Sequence, residues 1–66
     1  MSVEKYVGRI VRIVYMDRHS RISERIIQIK AVRDGQIKAY CMTTGGPRVF
    51  HVHNVLAYEV VRHYAV

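Results

Sequence analysis

The chain has 66 residues and carries 11 lysines and arginines against 5 aspartates and glutamates, a formal net charge of +6. This length allows a single domain spanning residues 1–66, and the charge favours anionic partners such as nucleotides or nucleic acid. The one cysteine, Cys41, excludes an internal disulfide and a four-cysteine zinc site. Because so small a domain buries little surface, a homo-oligomer or a larger regulator is an expected source of added stability.

The sequence contains no signal for a membrane or for export. No stretch approaches the roughly 18 apolar residues of a membrane span. The first ten residues, MSVEKYVGRI, lack the uninterrupted apolar segment of a signal peptide. We therefore expect a cytoplasmic protein with no membrane association.

The first half of the chain contains two long β-like segments. Residues 7–16, VGRIVRIVYM, are rich in the β-branched and aromatic residues that fit a pleated surface. After a polar break at residues 17–21, a second segment spans residues 22–33. Both segments are apolar on both faces in places. This pattern predicts either a strongly bent strand shared by two halves of a barrel or an outer face covered by another subunit.

The second half contains three shorter segments. Asp34-Gly35 predicts a tight hairpin, because glycine accepts the positive φ that a two-residue primed turn requires. Residues 36–42 alternate between apolar and polar side chains, residues 48–53 follow the turn TTGGP, and residues 56–64 form the last segment. Apolar residues do not recur clearly at the i, i+3, i+4 spacing of an amphipathic helix, and turn signals recur about every 8 to 12 residues. The sequence thus predicts an all-β fold, a small five-stranded, strongly bent antiparallel barrel.

Two histidines are candidates for a metal site. His51 and His53 are two residues apart and would share one face of a strand, so both rings could contact one ion. A third ligand could come only from His63, His19 or Glu59. Two surface histidines are the simpler interpretation, and we predict no metal and no other cofactor.

Catalysis is not expected. Cys41 lies in the apolar row of its segment and is predicted to be a small buried hydrophobe rather than a nucleophile with an adjacent base. No pair of carboxylates is placed for acid–base chemistry, since the acidic residues are scattered over loops and exposed strand positions. We therefore predict a binding protein and not an enzyme.

Arg48 and Phe50 form the strongest candidate site. They share a strand face, so an inward Phe50 would leave Arg48 at the barrel rim, where its planar guanidinium can bind phosphate or carboxylate. An arginine capped by an aspartate or a carbonyl is the alternative. Further cations and tyrosines can join this patch: Arg9, Arg12, Arg25, Lys38, Tyr15, Tyr40 and Tyr58. Cations interleaved with aromatic rings suit nucleic acid, although strand tyrosines also serve in cores and interfaces.

Three stretches, IVYMDRHSRISERIIQI, DGQIKAYC and GGPRVFHVHNV, resemble in their order the WYL domain of bacterial transcriptional regulators. The matching positions are Tyr15, Arg25, Asp34-Gly35, Ala39-Tyr40-Cys41, Arg48-Val49-Phe50, Val52 and Val55. The Trp-Tyr-Leu tripeptide that names the family is absent. Asn54 stands where the family usually has a second arginine, and His51 stands at another frequently basic position.

The resemblance implies an Sm-like (Src-homology-3-like) barrel that senses anionic ligands, nucleotides or nucleic acid. The chain has no helix-turn-helix, so direct promoter reading is not expected. We expect a small regulatory binding module linked to bacterial transcription; the alternative is a protein–protein assembly module without a small-molecule ligand. In the first case Arg48 would bind the anion, and Arg25 and Lys38 would add electrostatic attraction. Tyr15 or Tyr40 would line the site or stack on the ligand. The remaining predicted site residues are Phe50, His51 and Asn54.

Overall fold

The structure, a computed structural model, describes residues 3–62. They form one five-stranded antiparallel sheet with the strand order β4-β3-β2-β1-β5, which confirms the all-β prediction. The strands are β1 (Ile10–Met16), β2 (Ile22–Arg33), β3 (Gln36–Cys41), β4 (Gly46–His51) and β5 (Val55–Val60). Two short 3-10 helices, Val3–Tyr6 and Val52–Asn54, complete the described chain. No helix within residues 3–62 is long and apolar enough to cross a membrane.

Strand ends differ from the predicted segments for local reasons. The first strand starts at Ile10 rather than residue 7, because Gly8 has a φ of 89° and turns the chain. The fourth strand ends at His51, since Val52–Asn54 winds into a 3-10 helix. The fifth runs over Val55–Val60, and residues 63 and 64 of its predicted span lie outside the described residues.

Strand β2 is shared between two partners. Residues 22–28 pair with β1 and residues 27–33 pair with β3, with a register shift between Ile29 and Ala31. The two halves of one 12-residue strand therefore belong to different ladders. A register shift of this kind locally bends a strand, but the sheet does not close into the barrel of the first interpretation, and an outer face covered by another subunit stays a prediction.

The sheet is curled but open. Within residues 3–62, no ladder joins the edge strands β4 and β5, so the closed barrel is not confirmed. The curl nevertheless brings β4 over the end of β1. The backbone N–H of His51 donates to the hydroxyl of Tyr15 at 3.2 Å, and the rings of Tyr15 and Phe50 meet edge to face at 5.0 Å.

The core lies on the concave face of the curled sheet. Strand β3 shows the underlying period most clearly, because Ile37, Ala39 and Cys41 are buried while the residues between them are exposed. Cys41 is fully buried, as predicted. The buried apolar residues are Val3, Val11, Ile13, Ile27, Ile29, Ile37, Ala39, Cys41, Phe50 and Val55.

The predicted hairpin at Asp34-Gly35 is confirmed. Both residues have positive φ, 52° and 73°, and Arg33 pairs with Gln36 on either side of them. Positive φ at both central positions is the geometry of a primed turn, whose twist matches that of the flanking strands. The turn thus fixes the register of β3 against β2 and sets which of its side chains face the core.

Trimming one methyl group tests the placement of the core. Ile29→Val should lower the free energy of unfolding by about 1 kcal/mol, because Ile29 is 0% exposed and the removed methyl leaves a small void. The same change at Ile22, which lies on the same strand but is 63% exposed, should have almost no effect. Urea denaturation of the two variants measures this difference. Equal losses at both positions would contradict the assignment of the concave face.

Candidate anion-binding site

A cavity of about 350 Å³ opens at one end of the concave face. Its walls come from β1, β2 and β4, from the loop between β1 and β2, and from the second 3-10 helix. The lining residues are Tyr15, Asp17, Arg18, Ser23, Arg25, Arg48, Val49, Phe50, His51 and Asn54. Three arginines and one aspartate give this lining a positive formal charge.

The position of the cavity follows from a change of polarity along β2. The concave row of this strand runs from Ile29 and Ile27, which are fully buried, to Arg25 and Ser23, which are half-buried. Ser23 pairs with Tyr15 across the β1–β2 ladder. Alternate residues of a strand share a face. The same face of β2 therefore contributes apolar side chains to the core at one end and polar side chains to the cavity at the other.

Arg25 has an incomplete set of hydrogen bonds. Its Nε donates to Ser23 Oγ at 3.3 Å. Its Nη1 is buried and has no hydrogen-bond partner within residues 3–62. An unmet buried donor is unfavourable by about 1–3 kcal/mol, more when it is charged. Arg25 itself lines the cavity, so a small movement of its side chain would bring this N–H group to an acceptor oxygen there.

The guanidinium of Arg25 also influences Cys41 beneath the cavity. Burial raises the pKa of the Cys41 thiol, but polar groups of Thr44, Arg25 and Thr43 favour the thiolate more strongly. The pKa of Cys41 therefore lies below its usual value. Because the thiol is fully buried, this effect reflects hydrogen bonds from Thr44, Arg25 and Thr43 rather than an accessible nucleophile.

Tyr15 and Phe50 form the aromatic wall. Their rings make an interplanar angle of 80°, and the hydroxyl of Tyr15 accepts the N–H of His51. Phe50 is only 3% exposed, so it confirms the inward orientation predicted from the sequence. Arg48, two residues earlier on the same strand face, is exposed at the mouth of the cavity.

Asp17 is engaged by its own loop. Its Oδ1 accepts the backbone N–H groups of His19 at 2.8 Å and of Arg21 at 3.0 Å. The hydrogen bond from Arg21, followed by that from His19, lowers the pKa of the Asp17 carboxyl. The carboxylate thus holds the β1–β2 loop, in which Ser20 has a φ of 61°, and keeps Arg18 of that loop beside the cavity.

Six of the eight predicted site residues meet in this cavity: Tyr15, Arg25, Arg48, Phe50, His51 and Asn54. Lys38 and Tyr40 do not, because the alternation of β3 places both on the outer face. Arg12 is also remote from the cavity and forms an ion pair with Glu59 of β5.

Four lining residues were not predicted from the sequence to be site residues: Asp17, Arg18, Ser23 and Val49. Ser23 shares the face of Arg25 at spacing two, and that spacing could have indicated it. Arg18 belongs to a loop whose path depends on the hydrogen bonds of Asp17, and the sequence carries no periodic signal for such a path.

The two histidines lie close together outside the core. The rings of His51 and His53 are 5.8 Å apart, and both side chains are exposed. No group of three or more His, Cys, Asp or Glu side chains within residues 3–62 is placed to hold a metal ion. Of the other candidate ligands, Glu59 is paired with Arg12, and His63 lies outside the described residues.

No protein-family model and no curated protein sequence matches this chain. The resemblance to the WYL domain therefore has no support beyond the three sequence stretches that carry it. The cavity and its charges supply the remaining evidence on function.

The Asp17 loop gives the protein a defined response to acid. The pKa of Asp17 is lower in the folded protein than in the unfolded chain, where it is about 3.9. Its hydrogen bonds therefore stabilise the fold fully above about pH 3.9. This stabilisation is lost as the pH falls through the pKa of the folded state. Asp17→Asn keeps an acceptor oxygen but cannot titrate. The wild type should therefore lose stability relative to Asp17→Asn as the pH falls below about 4.

Urea denaturation over this pH range measures the difference. Asp17→Ala is the matched control, since it removes both the charge and the acceptor and should be the least stable variant at neutral pH. Parallel pH profiles for the wild type and Asp17→Asn would show that the carboxylate does not hold the loop.

Proposed function

We propose that this chain is a small regulatory module that binds a phosphate-bearing ligand, a nucleotide or nucleic acid, in the cavity between β1, β2 and β4. The observation that carries the proposal is that Arg25 and Arg48 line the same cavity, while Nη1 of Arg25 has no hydrogen-bond partner within residues 3–62. Two guanidinium groups on one concave surface suit an anion with several oxygens.

The two arginines would have different parts in binding. Arg25 is half-buried, so its hydrogen bonds to an anion would be little screened by water. Arg48 is exposed at the mouth, where it would attract the anion and close over it. Arg18 adds a third positive charge from the loop, while the carboxylate of Asp17 is occupied by backbone N–H groups.

A nucleotide fits this cavity better than a bare phosphate. The volume of about 350 Å³ lies near the lower end of the range for small-molecule sites, about 300–1,000 Å³. Tyr15 and Phe50 offer an apolar wall, and Ser23 and Asn54 offer neutral hydrogen-bonding groups. A sugar and a base would use these groups, whereas a free phosphate would use only the arginines.

The proposal extends to the family resemblance. A WYL-like domain linked to bacterial transcription would have Arg25 and Arg48 at the positions matched above. The curled order β4-β3-β2-β1-β5 and the contact of β4 with Tyr15 are compatible with an Sm-like barrel. Binding rather than catalysis is proposed, because the acid in the cavity is held by its own loop.

Replacing Arg48 tests the proposed site. Arg48→Gln should weaken the binding of a nucleoside monophosphate about tenfold or more, since a charge-assisted hydrogen bond contributes about 1.5–3 kcal/mol. Arg33→Gln is the charge-matched control, because Arg33 lies at the opposite end of β2 from Arg25. Isothermal titration calorimetry at low salt measures both. Equal losses in the two variants would show that net charge, rather than the cavity, attracts the ligand.

A second candidate function, assembly of copies of the chain, is favoured by the outer surface. Ile22, Val49 and Leu56 are 63%, 52% and 48% exposed, and the sheet leaves two open edges within residues 3–62. Apolar side chains and unpaired strand edges are features of protein–protein interfaces. Sedimentation equilibrium decides this point: assembly predicts a concentration-dependent mass above 7.7 kDa, and a monomer throughout the micromolar range would exclude it.

A further inference from the structure

A second recess, of about 460 Å³, lies against the outer face of β2, β3 and β4. Its lining residues are Lys30, Lys38, Ala39, Pro47, Arg48 and Val49. Arg48 and Val49 also line the inner cavity. They are consecutive residues of β4, an edge strand of the sheet, so the two recesses meet around this edge.

We propose that the two recesses form one binding track and that its ligand is a single-stranded nucleic acid of two or more nucleotides. This inference rests on the proposed function, because one phosphate would occupy the inner cavity beside Arg25. The strand would then pass over β4 at Arg48 and place its next phosphates near Lys38 and Lys30.

The cations of the outer recess are free to bind phosphate. The ion pairs within residues 3–62 join Arg12 to Glu59 and Arg33 to Asp34, and neither pair includes a lysine of the recess. Lys30 Nζ donates to the neutral Gln28 Oε1 at 3.1 Å, and the cross-strand neighbours of Lys38 are Ala31 and Val49. Both lysines are exposed, and neither is paired with a carboxylate within residues 3–62.

The outer face also offers an exposed ring for stacking. Tyr40 is 41% exposed. It flanks the recess, because it follows Lys38 by two residues on the same face of β3 and pairs with Pro47 of β4, and both of those residues line the recess. An exposed ring near Lys38 suits a base attached to a phosphate chain and would add nothing for an inorganic polyphosphate. A duplex, whose bases are already stacked and paired, could not use it.

Fluorescence anisotropy with a labelled oligothymidylate of about ten nucleotides tests the track, with thymidine monophosphate and a duplex of equal length for comparison. Tyr40→Ala should weaken oligonucleotide binding about tenfold, and Tyr40→Phe, which keeps the ring, should leave it unchanged. Lys38→Gln should weaken it and reduce the slope of log K against log salt by about 0.7. Neither Tyr40→Ala nor Lys38→Gln should change the affinity for thymidine monophosphate, whereas Arg48→Gln should weaken both ligands.

Other results would overturn the inference in distinguishable ways. If thymidine monophosphate binds as tightly as the oligonucleotide, and Arg48→Gln is the only variant that lowers the affinity, that result would contradict the binding track and leave the proposed function intact. If neither ligand binds, both are wrong. Equal binding of duplex and single strand would exclude stacking on Tyr40. If Arg33→Gln and Lys38→Gln weaken oligonucleotide binding equally, the net charge of the protein, rather than the track, attracts the nucleic acid.

Discussion

The contact between Tyr15 and β4 is the constraint on which the candidate site depends. In the order β4-β3-β2-β1, two strands separate β4 from β1, which in a flat sheet would hold them about 14 Å apart. The hydroxyl of Tyr15 nevertheless accepts the N–H of His51 at 3.2 Å, and its ring packs against Phe50. This curvature brings Arg48 of β4 and Arg25 of β2 around one cavity, which a flatter sheet would leave as two separate surface cations.

Two irregularities in the ladders favour this curvature. The β2–β3 ladder has a register shift between Ile29 and Ala31, and the β1–β5 ladder has one between Val14 and Tyr15. Strand β2 changes from buried isoleucines to Arg25 and Ser23 along its concave row. Curvature and polarity therefore act together, because the curled sheet covers the apolar end of the row while its polar end lines the cavity.

Regular alternation explains how much of the site could be predicted from the sequence. Period two along β4 makes Phe50 an inward residue and places Arg48 on its face, and the Asp34-Gly35 turn fixes the register of β3. The same alternation places Lys38 and Tyr40 on the opposite face of the sheet from Arg25. The predicted site grouped these residues by charge and aromatic character and did not take this alternation into account. The position of Arg18 could not be predicted, because the side-chain hydrogen bonds of Asp17 fix its loop and leave no periodic pattern in the sequence.

Stability and binding place opposing demands on Arg25. In a domain of 66 residues the core has little surplus stability, and a half-buried guanidinium with an unmet donor reduces it further. A purely structural sequence would do better with an apolar residue at this point of the β2 row, continuing Ile29 and Ile27. An unfavourable polar group at the end of an otherwise apolar row is a departure from local consistency of the kind that functional sites show. If the side chain of Arg25 turned toward the cavity, an anion there would supply the missing acceptor, so the feature that weakens the free fold would also couple it to such an anion.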